Sequence, residues 1–441
     1  MRKELYESYF KDKKVTVMGL GLLGRGVGDT AFLASCGAEV LVTDMKSEKE
    51  LETSVLALKD FAHITYHCGG HDVKDFENKD FIMKAAGVPL DNEYISHAKK
   101  NGIPVYMSAA FVCDIVMKTL PSCVIIGVTG TRGKSMTTHL IAHMLRENGS
   151  RVHIGGNIRG IANLPILESI EDGDFLVLEL DSWQLQGFGD LHSSPHIAVF
   201  TSFMDDHMNY YKNDKSLYFN DKAHIYRHQK EFDVLIVSPQ AYDEIKKYDN
   251  KKDVILAEER NLTMSMIGKH NHISGNLAYE VGLQCGLDDE SIRSAIKTFS
   301  GIEGRLEDMG LFRGVRLFND NNATTGDATI AAISAINETY HVQPIIIMGG
   351  TDKGLPLESL EQFVEKNTKA YILLAGTGTD RLQLSKKHVY ETLEECIEQA
   401  FTIAEVGDYI VFSPAFASFN KYFNNEYERN DLFVALLQKY R

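Results

Sequence analysis

Residues 124–142 read VIIGVTGTRGKSMTTHLIA. An apolar run of strand character leads into a glycine-rich turn, and Lys134, Ser135 and a stretch of helical character follow. Gly130 and Gly133 lack a Cβ, so the backbone of the turn can wrap closely around a phosphate group. The amide N–H groups at the start of the helix then face the anion. This order of elements predicts a nucleotide-binding α/β domain.

Two side chains of this segment suit the phosphates of ATP or another nucleoside triphosphate. Lys134 supplies a point charge for the terminal phosphates, and the hydroxyl of Ser135 can hold Mg²⁺. The segment is not the strict phosphate-loop motif, because Val128 stands where its first glycine would be. The shorter form, TGTRGKS at residues 129–135, is complete.

Composition and charge exclude several classes of protein. The chain has 441 residues and a formal net charge of −15, which argues against general binding to nucleic acid or an anionic membrane. Its six cysteines form no C-x-x-C pair, a pattern that favours reduced thiols. No apolar signal segment opens the chain. We therefore expect a cytoplasmic protein that binds neither nucleic acid nor membranes.

Strand-like and helix-like segments alternate along almost the whole chain, which predicts an α/β fold with mainly parallel sheets. A chain of this length exceeds the usual size of a single core. We expect three domains: a Rossmann-like N-terminal domain (1–107), a central ATP-binding domain of the phosphate-loop type (108–301) and a Rossmann-like C-terminal domain (302–441).

The N-terminal domain opens with a strand, the turn GLGLLG at residues 19–24, and a second strand that ends at Asp44. In this G-x-G-x-x-G pattern a diphosphate lies on the helix N-terminus and the acid reaches a ribose. Taken alone, the pattern favours NAD(P), and a purely structural tight turn is the alternative. Beside a separate triphosphate loop, it favours a nucleotide-linked substrate.

Acidic residues follow two strands of the central domain. Glu179 ends an apolar strand, where a phosphate-loop protein requires a further Mg²⁺ anchor, although a solvent-facing acid would give the same pattern. Asp205, Asp206 and His207 follow the next strand and can either ligate a cation or cap a helix. Lys222 is, from the residues alone, an ordinary solvated helix lysine.

Polar turns also follow three strands of the C-terminal domain. They contain Asp320 and Thr324, then Lys353, then Ser418. Because the carboxyl ends of parallel strands meet at one edge of a sheet, we expect ligand contacts there. Arg305 lies at the preceding boundary, where it can contact a nucleotide phosphate or pair with a neighbouring glutamate.

Together these segments resemble the Mur ligase family of ATP-dependent, amide-forming enzymes of peptidoglycan synthesis, and the resemblance covers essentially the whole chain. The motifs that carry it are TGTRGKS (129–135), GGNI (155–158), LELDSWQL (178–185), DHM (206–208), KAHIY (222–226), GRLE (304–307) and GTDKG (350–354). Within the family, the chain is most similar to the branch that adds D-glutamate to UDP-N-acetylmuramoyl-L-alanine, because of its length, its glycine turn and the closing motif SPAFASF (413–419).

The resemblance implies roles for individual residues. The residues implied for the uridine diphosphate are Gly21, Leu22, Leu23 and Asp44. The residues implied for ATP are Gly130, Thr131, Gly133, Lys134, Ser135, Asn271, Arg305 and Asp320. Asn157 and Ser182 would contact the muramoyl substrate, and Thr324, Lys353 and Ser418 would bind the amino acid.

The resemblance also implies two Mg²⁺ ions. Ser135 and Glu179 would ligate one ion, while His207 and a carbamylated Lys222 would position the other. Lys134, Glu179, His207 and Lys222 are thus the implied catalytic residues. Both substrates are small molecules, and we expect a monomer.

Some segments depart from the family pattern. Asn322 replaces a lysine, Ala85-Ala86-Gly87 replaces Ser-Pro-Gly, and Arg429-Asn430 replaces Arg-Gly. Either Asn271 or Asn276 would contact adenine. These departures leave other functions open: a ligase for another amino acid, a folylpolyglutamate synthase-like ligase, an NAD-dependent oxidoreductase, or a non-catalytic nucleotide-binding relative.

Overall fold

A computed structural model describes residues 3–22, 24–249, 253–418, 423 and 425–441 of the chain. In these residues the strands form three sheets, in which one pair is antiparallel and all other paired strands are parallel. The chain divides into two compact units, Met1–Asn261 with Ile273–Ala295, and Leu262–His272 with Ile296–Arg441. The predicted α/β fold is confirmed.

The first sheet has the strand order β3-β2-β1-β4-β5. Its strands are β1 (Lys14–Met18), β2 (Glu39–Asp44), β3 (Ile64–Cys68), β4 (Phe81–Lys84) and β5 (Val105–Tyr106). The helices of this segment are α1 (Lys3–Glu7), α2 (Arg25–Ser35), α3 (Glu52–Leu56), α4 (Glu93–Lys100) and α5 (Ser108–Thr119). The strand order reverses between β1 and β4, and open α/β sheets bind ligands at such a point.

The second sheet has the order β11-β10-β9-β6-β8-β7. Its strands are β6 (Val124–Thr129), β7 (Val152–Gly156), β8 (Phe175–Glu179), β9 (Ile197–Phe200), β10 (Val234–Val237) and β11 (Ile255–Leu256). Its helices are α6 (Lys134–Glu147), α7 (Ile166–Ser169), α8 (Ser182–Asp190), α9 (Lys215–Arg227) and α10 (Pro239–Ile245). Strand β6 lies between β8 and β9, which places the phosphate loop at the reversal of strand order in this sheet.

Two helices, α11 (Lys269–Gln284) and α12 (Asp289–Thr298), precede the third sheet, whose order is β12-β13-β17-β14-β15-β16. Its strands are β12 (Glu307–Phe312), β13 (Val315–Asn319), β14 (Ile345–Gly349), β15 (Ala370–Leu374), β16 (Val389–Tyr390) and β17 (Tyr409–Phe412). Its helices are α13 (Gly326–Tyr340), α14 (Glu358–Asn367), α15 (Thr377–Arg381), α16 (Leu393–Ile403) and α17 (Glu426–Leu437). Strand β12 pairs antiparallel to β13 at the sheet edge.

The first two sheets belong to one compact unit because apolar side chains from both join a single core. Phe10, Phe111 and Phe188 are members of this cluster, and all three are almost fully buried. The three-domain division with boundaries at 107 and 301 stays a prediction. No helix in the described part of the chain is long and apolar enough to cross a membrane.

The shared core makes a quantitative prediction about stability. Phe188 is 0% exposed, so Phe188→Ala should lower the free energy of unfolding by about 3–5 kcal/mol through lost burial and the cavity left behind. Phe232 is 91% exposed, and Phe232→Ala should change the same quantity by less than about 0.5 kcal/mol. Urea unfolding, followed by the fluorescence of the single tryptophan on α8, measures both; equal midpoints for the two variants would contradict the packing described.

Candidate active site

The phosphate loop, residues 130–133, connects β6 to α6 through two glycines with positive φ. Gly130 has φ +146°, and a Cβ built there would lie 2.0 Å from the Thr201 Oγ1 atom. Gly133 has φ +87° and directly precedes α6. Both positions therefore require glycine, one because of crowding as well as conformation and the other because of its left-handed backbone.

The segment that follows β9 fixes the loop. The Thr131 N–H donates to the Ser202 carbonyl at 2.7 Å, and the Arg132 N–H donates to the Ser202 hydroxyl at 2.9 Å. In return, the Thr201 hydroxyl donates to the Arg132 carbonyl at 2.5 Å. These bonds between neighbouring strand ends fix the conformation of the loop.

The start of α6 presents backbone N–H groups beside the loop. The first bond of the helix runs from the Thr137 N–H to the Gly133 carbonyl at 3.0 Å. The N–H groups of residues 134–136 precede that bond and have no acceptor within the helix. Together with the helix dipole, they make this end of α6 attractive to phosphate.

Two lysines from different helices converge on the Gly130 carbonyl oxygen. The Lys134 Nζ atom donates to it at 3.1 Å, and the Lys222 Nζ atom donates to it at 2.9 Å. Lys222 is 1% exposed, and this burial, together with the charge of Lys134, holds its pKa well below the usual value. The expectation from the residues alone, a solvated helix lysine at position 222, is therefore wrong, because the packing of α9 buries this side chain beside the loop.

Glu179 lies at the same end of the sheet as the loop. It ends β8, where the strand register pairs it with Val128 of β6, and it is 5% exposed. The neighbouring Gly156 must be glycine, because a Cβ there would lie 2.0 Å from the Glu179 carbonyl oxygen. Because the Glu179 side chain is buried, the alternative of a solvent-facing acid is wrong.

The donor set around the loop fits Mg²⁺. Among the described residues, no three His, Cys, Asp or Glu side chains are grouped so as to hold a metal. The predicted ligands are the Ser135 hydroxyl and the Glu179 carboxylate for one ion, and His207 with a carbamate on Lys222 for the other. Apart from the His207 ring, these are hard oxygen donors of the kind that Mg²⁺ prefers. Sites of this kind complete their coordination with waters and substrate phosphates, so few protein ligands are required.

His207 is half exposed beside an aromatic side chain of α8. Its ring centroid lies 4.7 Å from that of Trp183, and its Nε2 atom lies 3.5 Å from an Asp206 carboxylate oxygen. Its backbone has φ +53°. Ser182, the first residue of α8, is 2% exposed.

The glycine turn of the first sheet borders a cavity of about 230 Å³, named here the first-sheet cavity. The wall includes the turn, Arg25 at the start of α2, the end of β4 with Lys84, and the beginning of α5. The cavity lies where the strand order of the first sheet reverses. Sequence reasoning did not select Arg25 or Lys84, and the only available signal was a lysine at the end of an otherwise apolar strand.

Asp44 anchors the glycine turn. One carboxylate oxygen accepts from the Leu20 N–H at 2.9 Å and the Gly21 N–H at 3.3 Å, and the other accepts from the Lys46 N–H at 2.9 Å. Its predicted contact with a ligand stays a prediction. Leu22 is 54% exposed at the turn, and Leu23 lies outside the described residues.

Asn157 bonds to the N-terminal segment. Its side-chain oxygen accepts from the Arg25 Nη1 atom at 2.5 Å, and its N–H donates to the Glu179 carbonyl at 2.7 Å. The residue predicted to contact the muramoyl substrate therefore connects the first-sheet cavity to the strand end that carries Glu179.

In the second unit, two of the predicted amino-acid contacts meet. The Lys353 Nζ atom donates to the Thr324 hydroxyl at 2.8 Å, and Ser418 is 2% exposed. Asp320 accepts from the Leu306 N–H at 3.0 Å and from the Ser413 hydroxyl at 2.8 Å. Burial raises the pKa of the Asp320 carboxyl to about 7.

Three further residues predicted to contact ATP can be compared individually. Asn271 is 2% exposed, and its side-chain amide donates to the Ile267 carbonyl at 2.7 Å within the second unit. Asn276 belongs to the first unit and accepts from the Arg260 N–H at 3.3 Å. Arg305 is exposed. The choice between the two asparagines for adenine stays open.

These features define a phosphate-binding α/β protein, and comparisons with known proteins identify its relatives. Family profiles match residues 128–278 (Mur ligase middle domain) and residues 13–107 (Mur ligase MurD-like, N-terminal domain). The UDP-N-acetylmuramoylalanine–D-glutamate ligase of Borreliella afzelii (strain PKo) is 33% identical over 97% of this chain and 98% of its own length. The enzyme of the same name from Roseiflexus sp. (strain RS-1) is 31% identical over 97% and 99%.

A solved structure agrees in fold. The UDP-N-acetylmuramate-alanine ligase MurC of Thermotoga maritima matches with a TM-score of 0.62 and 18% identity, over 97% of this chain and 100% of that one. The chain therefore belongs to the Mur ligase family, on the branch of the UDP-N-acetylmuramoylalanine–D-glutamate ligases. Because the chain belongs to a ligase family, the alternative interpretation as an NAD-dependent oxidoreductase is wrong.

The crowding at Gly130 leads to a prediction for nucleotide binding. In Gly130→Ala the new methyl group would meet the Thr201 hydroxyl, so the loop must move and lose contacts to the phosphates. Because hydrogen bonds to charged groups contribute about 1.5–3 kcal/mol each, the affinity for ATP should fall about tenfold or more. Titration calorimetry measures this affinity.

Gly149→Ala is the matched control, since Gly149 also has positive φ (+81°) but nothing lies within 4 Å of a Cβ built there. That variant should lose stability of about 1 kcal/mol and keep its affinity for ATP. Equal ATP affinities for Gly130→Ala and wild type would contradict the described role of the loop.

Proposed function

We propose that this chain joins D-glutamate to UDP-N-acetylmuramoyl-L-alanine by an amide bond, with ATP as the energy source, in the synthesis of peptidoglycan precursors. The observation that carries the proposal is the convergence of Lys134 and Lys222 on the Gly130 carbonyl at the phosphate loop. The names of the full-length relatives supply the two substrates.

An amide cannot form directly from a carboxylate, because oxide is a poor leaving group. The alanine carboxylate instead attacks the γ-phosphorus of ATP, the bond to the β–γ bridging oxygen breaks, and ADP leaves with that electron pair. Lys134 and the amides at the start of α6 bind the phosphates and stabilise the charge of the transferring group. The product of this step is an acyl phosphate.

The amine of glutamate then attacks the acyl carbon. Inorganic phosphate leaves with the electron pair of the acyl C–O bond, and the amine nitrogen gives its proton to the departing phosphate or to water. The Lys353 ammonium and the Thr324 hydroxyl, which bond to each other at 2.8 Å, would bind a carboxylate of the incoming amino acid together with Ser418. In this position they would orient the amine toward the acyl carbon, and the acyl phosphate would supply the reactivity.

Ser135 and Glu179 would hold one Mg²⁺ ion, and His207 with a carbamylated Lys222 would position a second. When bound, Mg²⁺ supplies positive charge that stabilises phosphoryl transfer. The low pKa of Lys222 supports the carbamate, because a neutral amine adds to CO₂ and releases one proton. The resulting anion would lie near Lys134, which offsets its charge.

We also propose a separate binding role for each of the three parts of the chain. Residues 1–107 would bind the uridine nucleotide through Gly21, Leu22 and their neighbours, 108–301 would bind ATP, and 302–441 would bind the amino acid. Arg305, Asp320 and Asn271 would complete the ATP site, and Asn157 and Ser182 the muramoyl site. The enzyme would act as a monomer in the cytoplasm, where its six free thiols would stay reduced.

The reaction itself provides the direct test. ADP release, measured in a coupled assay, should require UDP-N-acetylmuramoyl-L-alanine and D-glutamate together, and a panel of other amino acids should give little activity. Lys134→Ala should lower the turnover number about 10³-fold or more. Turnover with another amino acid, and not with D-glutamate, would show that the amino-acid substrate is a different one. Turnover without any acid substrate would contradict the proposal that the chain is a ligase.

A second experiment tests the carbamate. Lys222→Ala should lower turnover about 10²–10³-fold, because a ligand of the second Mg²⁺ ion is lost. Added formate or acetate should restore part of the activity by supplying a carboxylate in the vacated space. Lys230→Ala, which removes an exposed lysine just after α9, is the control and should be unaffected. Full activity of Lys222→Ala would remove the carbamate from the mechanism.

A further inference from the structure

Lys84 is a buried cation that the proposed mechanism does not use. It ends β4 at the point where the strand order of the first sheet reverses, lines the first-sheet cavity and is 2% exposed. Lysine is rarely buried to this degree without a paired charge. A lysine in this position is therefore expected to pair with an anion.

The partners of Lys84 in the described residues are neutral. Its Nζ atom donates to the carbonyl oxygens of Ala85 at 3.1 Å, Ala86 at 3.4 Å and Val88 at 2.5 Å. No carboxylate in the described part of the chain lies within ion-pair distance of it. A buried charge without a counter-ion is unfavourable. An anion that enters the cavity and pairs with Lys84 should therefore bind with a more favourable free energy than it would beside an exposed lysine.

Arg25 is a second cation on the same cavity wall. It opens α2 directly after Gly24, whose φ of +81° ends the glycine turn. Its Nη1 atom donates to the Asn157 side chain at 2.5 Å. A guanidinium carries five N–H donors in a planar fork, so this bond leaves donors for a phosphate group.

Other charges surround the two cations. Asp29 of α2 also lines the cavity, where burial raises its pKa to about 6, and it accepts from the Leu164 N–H at 2.8 Å. Further from Lys84 lie Lys99 of α4, Asp181 and Asp190 at the two ends of α8, and Asp221 of α9. Burial outweighs all of them and lowers the pKa of the Lys84 ammonium to about 7.

We propose that Lys84 and Arg25 bind the diphosphate of the nucleotide-linked substrate, Lys84 through its positive charge at the end of β4 and Arg25 through guanidinium N–H groups at the start of α2. The assignment rests on the proposed function, which places a uridine diphosphate group in this cavity. It adds a buried cation and a guanidinium group to the glycine turn and the start of α2. The bond from Arg25 to Asn157 then connects diphosphate binding to the strand end that carries Glu179.

The assignment predicts a link between binding and pH. A diphosphate beside Lys84 favours the ammonium form and raises the pKa of this group above its value of about 7 in the free protein. Between these two pKa values, binding takes up a proton, so affinity is greatest below pH 7 and decreases as the pH rises. The decrease approaches about tenfold per pH unit where one proton is taken up. Asp29 titrates below this range.

Titration calorimetry with UDP-N-acetylmuramoyl-L-alanine on the intact chain, without ATP, tests the proposal. At pH 7, Lys84→Met should weaken binding about tenfold or more, and Arg25→Gln should also weaken it. Lys99→Met removes a neighbouring charge outside the cavity and should change affinity less than about twofold. Uridine, measured by ligand-observed NMR, should bind wild type and both cavity variants alike, because it carries no phosphate.

The pH series distinguishes charge recognition from support of the turn. From pH 7 to 9 the affinity of wild type should decrease and that of Lys84→Met should stay level. Wild-type protein in buffers of different ionisation enthalpy should also report proton uptake near pH 7.5, a readout that requires no variant if Lys84→Met fails to fold.

Three outcomes would overturn the assignment: equal diphosphate affinity in the variants, equal losses for uridine and the nucleotide, or no proton uptake by wild type. Wild-type protein that binds no uridine nucleotide at all would remove the proposed function as well, which separates the two failures.

Discussion

The geometry of one short loop governs the rest of the active site. The backbone at Gly130 lies so close to Thr201 that no side chain fits, and its carbonyl oxygen accepts from two lysines. Bonds within the protein therefore fix the conformation of the loop and the direction of the amides at the start of α6. Such preorganisation is where phosphoryl-transfer sites gain most of their catalytic advantage.

The glycine turn of the first sheet is held in place by a different arrangement of residues. A glycine turn again leads into a helix, but here a carboxylate, Asp44, fixes the turn by accepting backbone N–H groups. The positive charge comes from the end of a strand, at Lys84, instead of from the helix itself. The phosphate loop and the first-sheet cavity both lie where a parallel sheet reverses its strand order, which is where open α/β sheets bind ligands. We propose that the local residues then determine which phosphate ligand each position binds.

Much of this could be predicted from the sequence, because glycine turns, helix starts and apolar strands depend on residues close together in the chain. The α/β fold, the phosphate loop and the position of Glu179 follow from such local patterns. The burial of Lys222 does not, since it arises from the packing of α9 against a loop about ninety residues earlier. The sequence also could not predict the hydrogen bonds of Asp44. The glycine pattern indicated a ribose contact for this residue, but the direction of its carboxylate depends on the folded turn. Lys84 gave no signal beyond one polar residue in an apolar strand.

We propose that the phosphate loop and the buried lysine beside it form one site for a nucleoside triphosphate. A crystal structure with AMP-PNP, Mg²⁺ and bicarbonate would locate the nucleotide and any modification of Lys222. We expect the γ-phosphate against the amides at the start of α6, with additional density on the Lys222 Nζ atom for a carbamate that faces a metal ion. An unmodified Lys222, with the nucleotide bound away from residues 130–135, would contradict the account.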